Sequence, residues 1–239
     1  TAASSKRATL SDMKAMILAA GRGERMRPLT DSTPKPLLTV GGKPLIVWHI
    51  ENLVRAGITD LVINHAHLGH MIEAALGDGS QFGAQIRYSA EGEALETAGG
   101  IANALPLLGN APFLVVNGDI FIDYDFGRAQ EMAMAMRANP ELFAAYLVLA
   151  DNPLHHEQGD FALEHSMVKL SGQPMLTFTG VAVYQPDVFR DIERGAKAKL
   201  APLLKTLIGY ELVRGGHHRG RWVDVGTPQR LATLDRMMK

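Results

Sequence analysis

Short unbroken apolar runs alternate with longer stretches of helical period through the first 150 residues, and few folds accept that alternation. Residues 14–20, 60–64 (DLVIN), 85–89, 113–117 (FLVVN) and 143–150 read as strands. Between them, residues 44–56 place Leu45, Ile46, Ile50, Leu53 and Val54 at helical spacing and stop at Gly57. Residues 68–76, closed by Gly77, and residues 97–105 and 126–138 continue as helices. Strands without a polar face need cover on both sides. The prediction is an α/β fold: a Rossmann-like mixed, mainly parallel sheet with helices on both faces. After Asp151 the runs shorten and alternate at 160–170 and 175–184, predicting a small antiparallel extension. Helices are expected at 200–208 and 228–238, and a strand at 220–225. With no repeat or linker in between, residues 13–239 read as a single domain. The polar stretch 1–12 (TAASSKRATLSD) reads as a tag remnant or disordered arm.

Composition narrows the function. Lysine and arginine total 24 against 25 acidic residues, a net charge of −1, which gives no footprint for nucleic acid or an anionic membrane. The absence of cysteine excludes a disulfide scaffold, zinc–thiolate sites and a cysteine nucleophile. The apolar stretch 15–20 is far shorter than the ~20 residues that span a bilayer. A cytoplasmic monomer or small homo-oligomer is expected.

The segment 18–36, LAAGRGERMRPLTDSTPKP, carries the chemistry. Gly21 and Gly23 follow a strand and let backbone N–H groups approach an anion. Arg25, Arg27 and Lys35 add positive charge, making a cradle for a polyphosphate. A dinucleotide fingerprint would need glycine where Met26 stands, and a Walker A loop would need Gly-Lys-Ser/Thr. Asp119 ends the FLVVNGD strand and Asp224 lies in WVDVGT. Either alone is an ordinary cap or turn residue. Beside a phosphate cradle, the two imply a hard divalent cation, since Mg²⁺ is held by one or two carboxylates plus substrate phosphates. Asp123 and Asp125 read as surface or capping residues. The histidines at 65, 67 and 70, at 155 and 156, and at 217 and 218 form no metalloprotease motif and read as polar loop residues near a cleft. Met132, Met134 and Met136 read as core filler.

The 18–36 segment resembles the signature of the sugar-1-phosphate nucleotidyltransferases, G-x-G-T-R-L-x-P-L-T…P-K-P-L. The resemblance continues through Lys43-Pro44-Leu45-Ile46, Asn117-Gly118-Asp119 and Trp222 to Thr227. It departs at Glu24 and Met26, where threonine and leucine are usual. The resemblance implies the nucleotide-diphospho-sugar transferase fold and transfer of a nucleotidyl group from a nucleoside triphosphate to a sugar 1-phosphate. It implies Mg²⁺ on Asp119 and Asp224, with Arg25, Lys35 and Asp119 as the catalytic residues. Arg25 would neutralise the β- and γ-phosphates, with help from Arg27, and Lys35 would meet the α-phosphate and the attacking phosphate. Ala20, Gly21, Gly23, Glu24, Arg25, Lys35, Glu91, Glu96 and Thr97 would bind the nucleotide. Glu91 aligns with the base-contacting position and suits uracil or guanine, its alternative being an exposed loop carboxylate. Glu96 replaces a usual glycine, and Thr97 would cap the next helix. Asn117, Asp160, Thr179 and Gly180 would line the sugar site, Asp160 accepting from a sugar hydroxyl.

Many relatives hold the sugar phosphate with Glu-Lys-Pro; residues 164–173 contain no such tripeptide, and Lys169 is their only lysine. The absence of hexapeptide repeats argues against the bifunctional acetyltransferase branch. The combination EGExLETxGGI, HHxxGDF, KLAPLL and RWVDVGT is most similar to the branch that uridylylates N-acetylmuramate 1-phosphate in peptidoglycan recycling. Mannose- and heptose-1-phosphate guanylyltransferases share most of it and are the alternative. A non-catalytic nucleotide-sensing subunit would be expected to lose a metal carboxylate or the Arg–Lys pair; Arg25, Lys35, Asp119 and Asp224 are all present.

Overall fold

In chain order the elements are β1 (Lys14–Leu18), β2 (Thr39–Val40), β3 (Lys43–Pro44), α1 (Leu45–Arg55), β4 (Asp60–His65), α2 (Gly69–Leu76), β5 (Gln85–Ala90), α3 (Glu96–Leu108), β6 (Phe113–Asn117), β7 (Ile120–Ile122), α4 (Gly127–Ala138), β8 (Ala145–Ala150), β9 (Phe161–Glu164), β10 (Met167–Lys169), β11 (Met175–Tyr184), α5 (Leu200–Gly209), β12 (Val213–His218), β13 (Trp222–Asp224) and α6 (Pro228–Met237). The computed structural model describes residues 13–239; the predicted arm at 1–12 lies outside the described residues.

The main sheet runs β5-β4-β1-β6-β11-β8-β12-β10-β9. Strands β5, β4, β1 and β6 are parallel neighbours. Strand β11 is antiparallel to both β6 and β8, while β12 lies parallel to β8. The predicted antiparallel extension is a closed ring, because β9 pairs with β10 and also returns to pair with β11. Alternate residues of each central strand enter opposite layers. Ala15 and Ile17 join the core under α1, α2 and α4, and Met16 joins the core under α3 and α5. Each fully buried side chain of this kind contributes about 1.5–3 kcal/mol, so both faces must be covered for these strands to persist.

The chain leaves β1 toward β4 and β5 on one side and later returns to β6 on the other. The reversal opens a crevice beyond the carboxyl ends of β1 and β6, where open α/β sheets place their ligands. Strand β6 ends at Asn117, two residues before Asp119, and β13 pairs with β7 so that Asp224 lies opposite Ile120. The two predicted metal aspartates are thereby delivered to one place by separate elements.

Several local departures have physical causes. The stretch 160–170 is a hairpin and not one strand, turning at His165 and Ser166 with φ of 46° and 68°. Helix α3 continues through Pro106 to Leu108, whose side chain is buried in the core. Strand β12 reads VRGGHH and carries no apolar alternation; a Cβ at Gly216 would collide with the Tyr146 hydroxyl of the adjacent strand. Met136 fills the core as expected, but Met134 is half exposed.

His49 sits fully buried on α1, and its Nε2 donates to the Ile120 carbonyl at 2.8 Å, tying the helix to β7 beside Asp119. Burial pushes its pKa down to about 4 from 6.5. The unfolded chain therefore takes up this proton first as pH falls, and the stability is present above 6.5 and lost toward 4. From that shift, the wild type should lose roughly 2–3 kcal/mol more than His49→Gln between pH 7 and pH 4.5. Urea unfolding at the two pH values measures it; parallel losses would show that His49 does not titrate in this way.

Candidate active site

The crevice is a cleft of about 450 Å³ lined by Ala20, Gly21, Gly23, Glu24, Arg25, Lys35, Glu91, Glu96, Thr97, Asn117 and Asp119. Every residue predicted to bind the nucleotide thus faces one space. A second cleft of about 360 Å³ opens beside it and shares Arg25, Asn117 and Asp119 with the first. Thr179 and Asp224 line this second space.

The first cleft is braced by a chain of hydrogen bonds. Ala19 N–H, just past β1, donates to Asn64 Oδ1 at 2.9 Å, and Asn64 Nδ2 donates to Glu91 Oε1 at 2.7 Å. Glu91 Oε2 accepts from Leu95 N–H at 2.9 Å. Glu91 is therefore not an exposed loop carboxylate; it is buried and joins the ends of β1 and β4 to the loop before α3. Asn64 was not among the predicted site residues, although it is the polar residue that closes the apolar run DLVIN. Glu96 has φ of 63°, a conformation in which glycine is at ease, so this chain keeps the bend where a relative's glycine is usual. Helix α3 begins at Glu96 and has no side-chain cap, so Thr97 lies inside the helix and does not cap it.

The cations divide cleanly. Arg22 and Arg27 both bond to Asp31, at 3.0 and 2.7 Å, and Arg27 takes no part in lining either cleft. Lys35 is buried, and its Nζ pairs with Asp119 Oδ2 at 2.6 Å. Arg25 is exposed at the junction of the clefts and has neither a hydrogen bond nor an ion pair among the described residues. It is the cradle cation left available to an incoming anion.

Asp224 Oδ2 meets Arg230 Nη1 at 3.1 Å and His155 Nε2 at 3.5 Å. On each aspartate the partners lie on Oδ2, and Oδ1 has none among the described residues. Two carboxylates with a free oxygen each form an all-oxygen, incomplete donor set. That set suits a hard divalent ion whose remaining ligands are phosphate oxygens and water. Among the described residues no group of three or more His, Asp or Glu is placed to hold a metal.

The sugar-side expectations need two corrections, at Asp160 and Gly180. Asp160 does not line the second cleft: Oδ1 bonds to His156 Nε2 at 3.0 Å and Oδ2 accepts from Phe178 N–H at 2.8 Å. Its carboxylate fastens the loop after β8 to β11. Gly180 is also outside the lining; at φ of 85°, a Cβ there would meet the Asn117 side chain at 2.6 Å. Gly180 makes room for Asn117. Thr179 lines the cleft, but its hydroxyl donates inward to the Val148 carbonyl at 2.8 Å. The histidines are not all loop residues. His65 is buried at the end of β4 and pairs with Glu73 at 2.6 Å. His217 and His218 belong to β12 and face Asp151 and Asp123. Asp125 caps the start of α4 by accepting from Gly127 N–H at 3.0 Å. His155, His156 and Trp222 line the second cleft and Gly226 the first, none of them predicted. The adjacent histidines, expected near a cleft, and the WVDVGT segment that holds Trp222 and Gly226 were the sequence signals pointing there.

A family model described as "Nucleotidyl transferase" matches residues 14–238. The chain is 57% identical over 223 residues to an N-acetylmuramate alpha-1-phosphate uridylyltransferase from Neisseria meningitidis serogroup B, covering 92% of this chain and 95% of that one. It is 31% identical over 227 residues to a mannose-1-phosphate guanyltransferase from Hypocrea jecorina, covering 91% of this chain and 62% of that one. Among solved structures, HddC from Yersinia pseudotuberculosis, complexed with GMP-PN, superposes with a TM-score of 0.77 at 18% identity, covering 95% of this chain and 100% of that one.

Proposed function

The chain belongs to the nucleotidyl transferase family, and we propose that it transfers a uridylyl group from UTP to the phosphate of N-acetylmuramate 1-phosphate. The products are UDP-N-acetylmuramate and pyrophosphate. The observation that carries this reading is 57% identity to a uridylyltransferase for that sugar phosphate over nearly the whole of both chains. The shared wall of the two clefts supplies the geometry it needs.

The nucleotide enters the first cleft, with its phosphates over the backbone at Gly21 and Gly23 and its base toward the loop braced by Glu91. The sugar 1-phosphate enters the second. A phosphate oxygen of the sugar attacks the α-phosphorus as pyrophosphate leaves on the opposite side. Such a displacement needs no enzyme nucleophile; positioning and charge neutralisation carry it. Arg25, without a carboxylate partner among the described residues, binds the β- and γ-phosphates and holds the pyrophosphate as it leaves. Lys35 lies against Asp119 at 2.6 Å and sits where the α-phosphate and the attacking phosphate meet. The Asn117 amide, set by Gly180, donates to the sugar. Asp119 and Asp224 would hold Mg²⁺, which when bound supplies further neutralisation of phosphate charge. The reaction returns a recovered cell-wall sugar to its nucleotide-activated form, and its UTP requirement suits the cytoplasm. Among the described residues no helix is long and apolar enough to cross a membrane.

The experiment is product identification by mass spectrometry. UTP and N-acetylmuramate 1-phosphate with Mg²⁺ should yield the UDP-sugar and pyrophosphate. Turnover of GTP with mannose 1-phosphate, without turnover of the first pair, would replace this reading with a guanylyltransferase. Nucleotide binding with neither product would mean a regulatory module.

A further inference from the structure

Both aspartates of the proposed metal pair carry a cation on Oδ2, and the two cations sit differently. Lys35 lines the first cleft beside its partner Asp119. Arg230 lines neither cleft, yet its Nη1 lies 3.1 Å from Asp224 Oδ2. With this geometry it acts on a substrate only through Asp224. His155, at 3.5 Å from the same oxygen, is the more distant neighbour.

Local chain chemistry puts Arg230 there. Thr227 caps α6, its hydroxyl accepting from the Arg230 N–H at 3.3 Å, which fixes the backbone of the first turn. The guanidinium then lies over Gly226. A Cβ at that residue would collide with Arg230 Nη2 and stand 3.0 Å from Asp224 Oδ1 and 3.1 Å from Arg25 Nη2. The glycine leaves the gap in which guanidinium and carboxylate meet. Arg230 Nε is buried and has no partner among the described residues. A buried donor without a partner costs stability, and the buried apolar anchor of α6 is Leu234, so helix stability does not account for the placement. Contact with Asp224 does.

We propose that Arg230 is the positioning residue of the divalent-ion site. It grips Asp224 by Oδ2 and leaves Oδ1 to the ion, and its charge offsets that of the carboxylate while no nucleotide is bound. This role rests on the function and the Mg²⁺ site proposed above and adds a residue that acts through Asp224. With Lys35 on Asp119 and Arg230 on Asp224, a free divalent ion meets two carboxylates already neutralised. The triphosphate brings the negative charge and the further oxygens that complete the ion's ligands. Removal of Arg230 therefore has a distinctive signature: the free ion binds better while the reaction runs worse.

The test uses the intact protein. Mn²⁺ binding without nucleotide is read from the free-ion EPR signal, and turnover is measured with Mg²⁺, UTP and N-acetylmuramate 1-phosphate. Arg230→Gln should bind Mn²⁺ at least ~10-fold more tightly than the wild type, the scale of removing one nearby positive charge. Its kcat should fall at least ~10-fold, as a misplaced carboxylate would cause, with both KM values within ~3-fold. Arg230→Lys retains the charge without the guanidinium fork, so Mn²⁺ affinity should return to within ~2-fold of wild type while kcat recovers only in part. A residue that merely supported the fold would weaken metal binding and turnover together. Mn²⁺ affinity in Arg230→Gln that is unchanged or weaker, or a kcat within ~2-fold of wild type, would overturn the proposal. Should Arg230→Gln fail to fold, Gly226→Ala is the second variant, because its methyl displaces the guanidinium and retains the charge. Its kcat should fall at least ~10-fold, and a wild-type kcat there would equally overturn the proposal. A wild type that makes no product from UTP and N-acetylmuramate 1-phosphate would overturn the function itself, and the Mn²⁺ comparison would still decide the role of Arg230.

Discussion

Asp119→Asn and Asp224→Asn should each lower turnover at least ~100-fold, the cost of removing one charge-stabilising group from an active site. The two aspartates come from different elements and reach one cleft through the β7–β13 pairing, a convergence with no evident purpose in stability alone. Asparagine keeps the shape and loses the charge. At position 119 it also deprives buried Lys35 of its counterion, so its effect should be the larger. At position 224 the partner Arg230 is left beside a neutral amide, and the helix it anchors keeps its packing through Leu234. Rates as a function of Mg²⁺, together with calorimetric Mn²⁺ binding in the presence of UTP, separate metal loss from misfolding. Near-wild-type Mg²⁺-dependent rates in either variant would remove that aspartate from the site.

Arg25→Ala should lower kcat by about 100-fold while leaving the affinity for the sugar phosphate within a few-fold. Its guanidinium has no carboxylate partner among the described residues and lines both clefts, so its work is expected to lie with a ligand whose charge shifts during reaction. Thermal stability should stay within about 0.5 kcal/mol, as expected for a surface side chain that anchors nothing. Steady-state kinetics against both substrates, with a thermal melt, make the measurement. A change confined to sugar-phosphate affinity would assign Arg25 to the wrong substrate.

The lining of the first cleft was legible in the sequence because local chain chemistry builds much of it. Just past the strand that ends at Leu18, two glycines with Arg25 and Lys35 line the crevice. The second cleft was not, because long-range packing decides it. Asp160 looks like a free acceptor in QGDF, and only the return of β11 shows that Phe178 and His156 have taken its oxygens. Gly180 looks like a loop ligand until Asn117 is seen against it. Strand β12 escaped because its glycines answer to Tyr146 across the sheet and leave no period to read. The hairpin at His165 and Ser166 lacks the Asn-Gly that marks such turns.

A single in-line displacement with no nucleotidylated side chain is tested most directly by the stereochemistry at phosphorus. UTP bearing one sulfur on the α-phosphate, as a single diastereomer, is reacted with N-acetylmuramate 1-phosphate, and the product is read by ³¹P NMR. Direct transfer across the shared wall of Arg25, Asn117 and Asp119 predicts a UDP-sugar with inverted configuration. Retention would mean two successive displacements through an enzyme nucleophile and would contradict a site that works by positioning and charge alone.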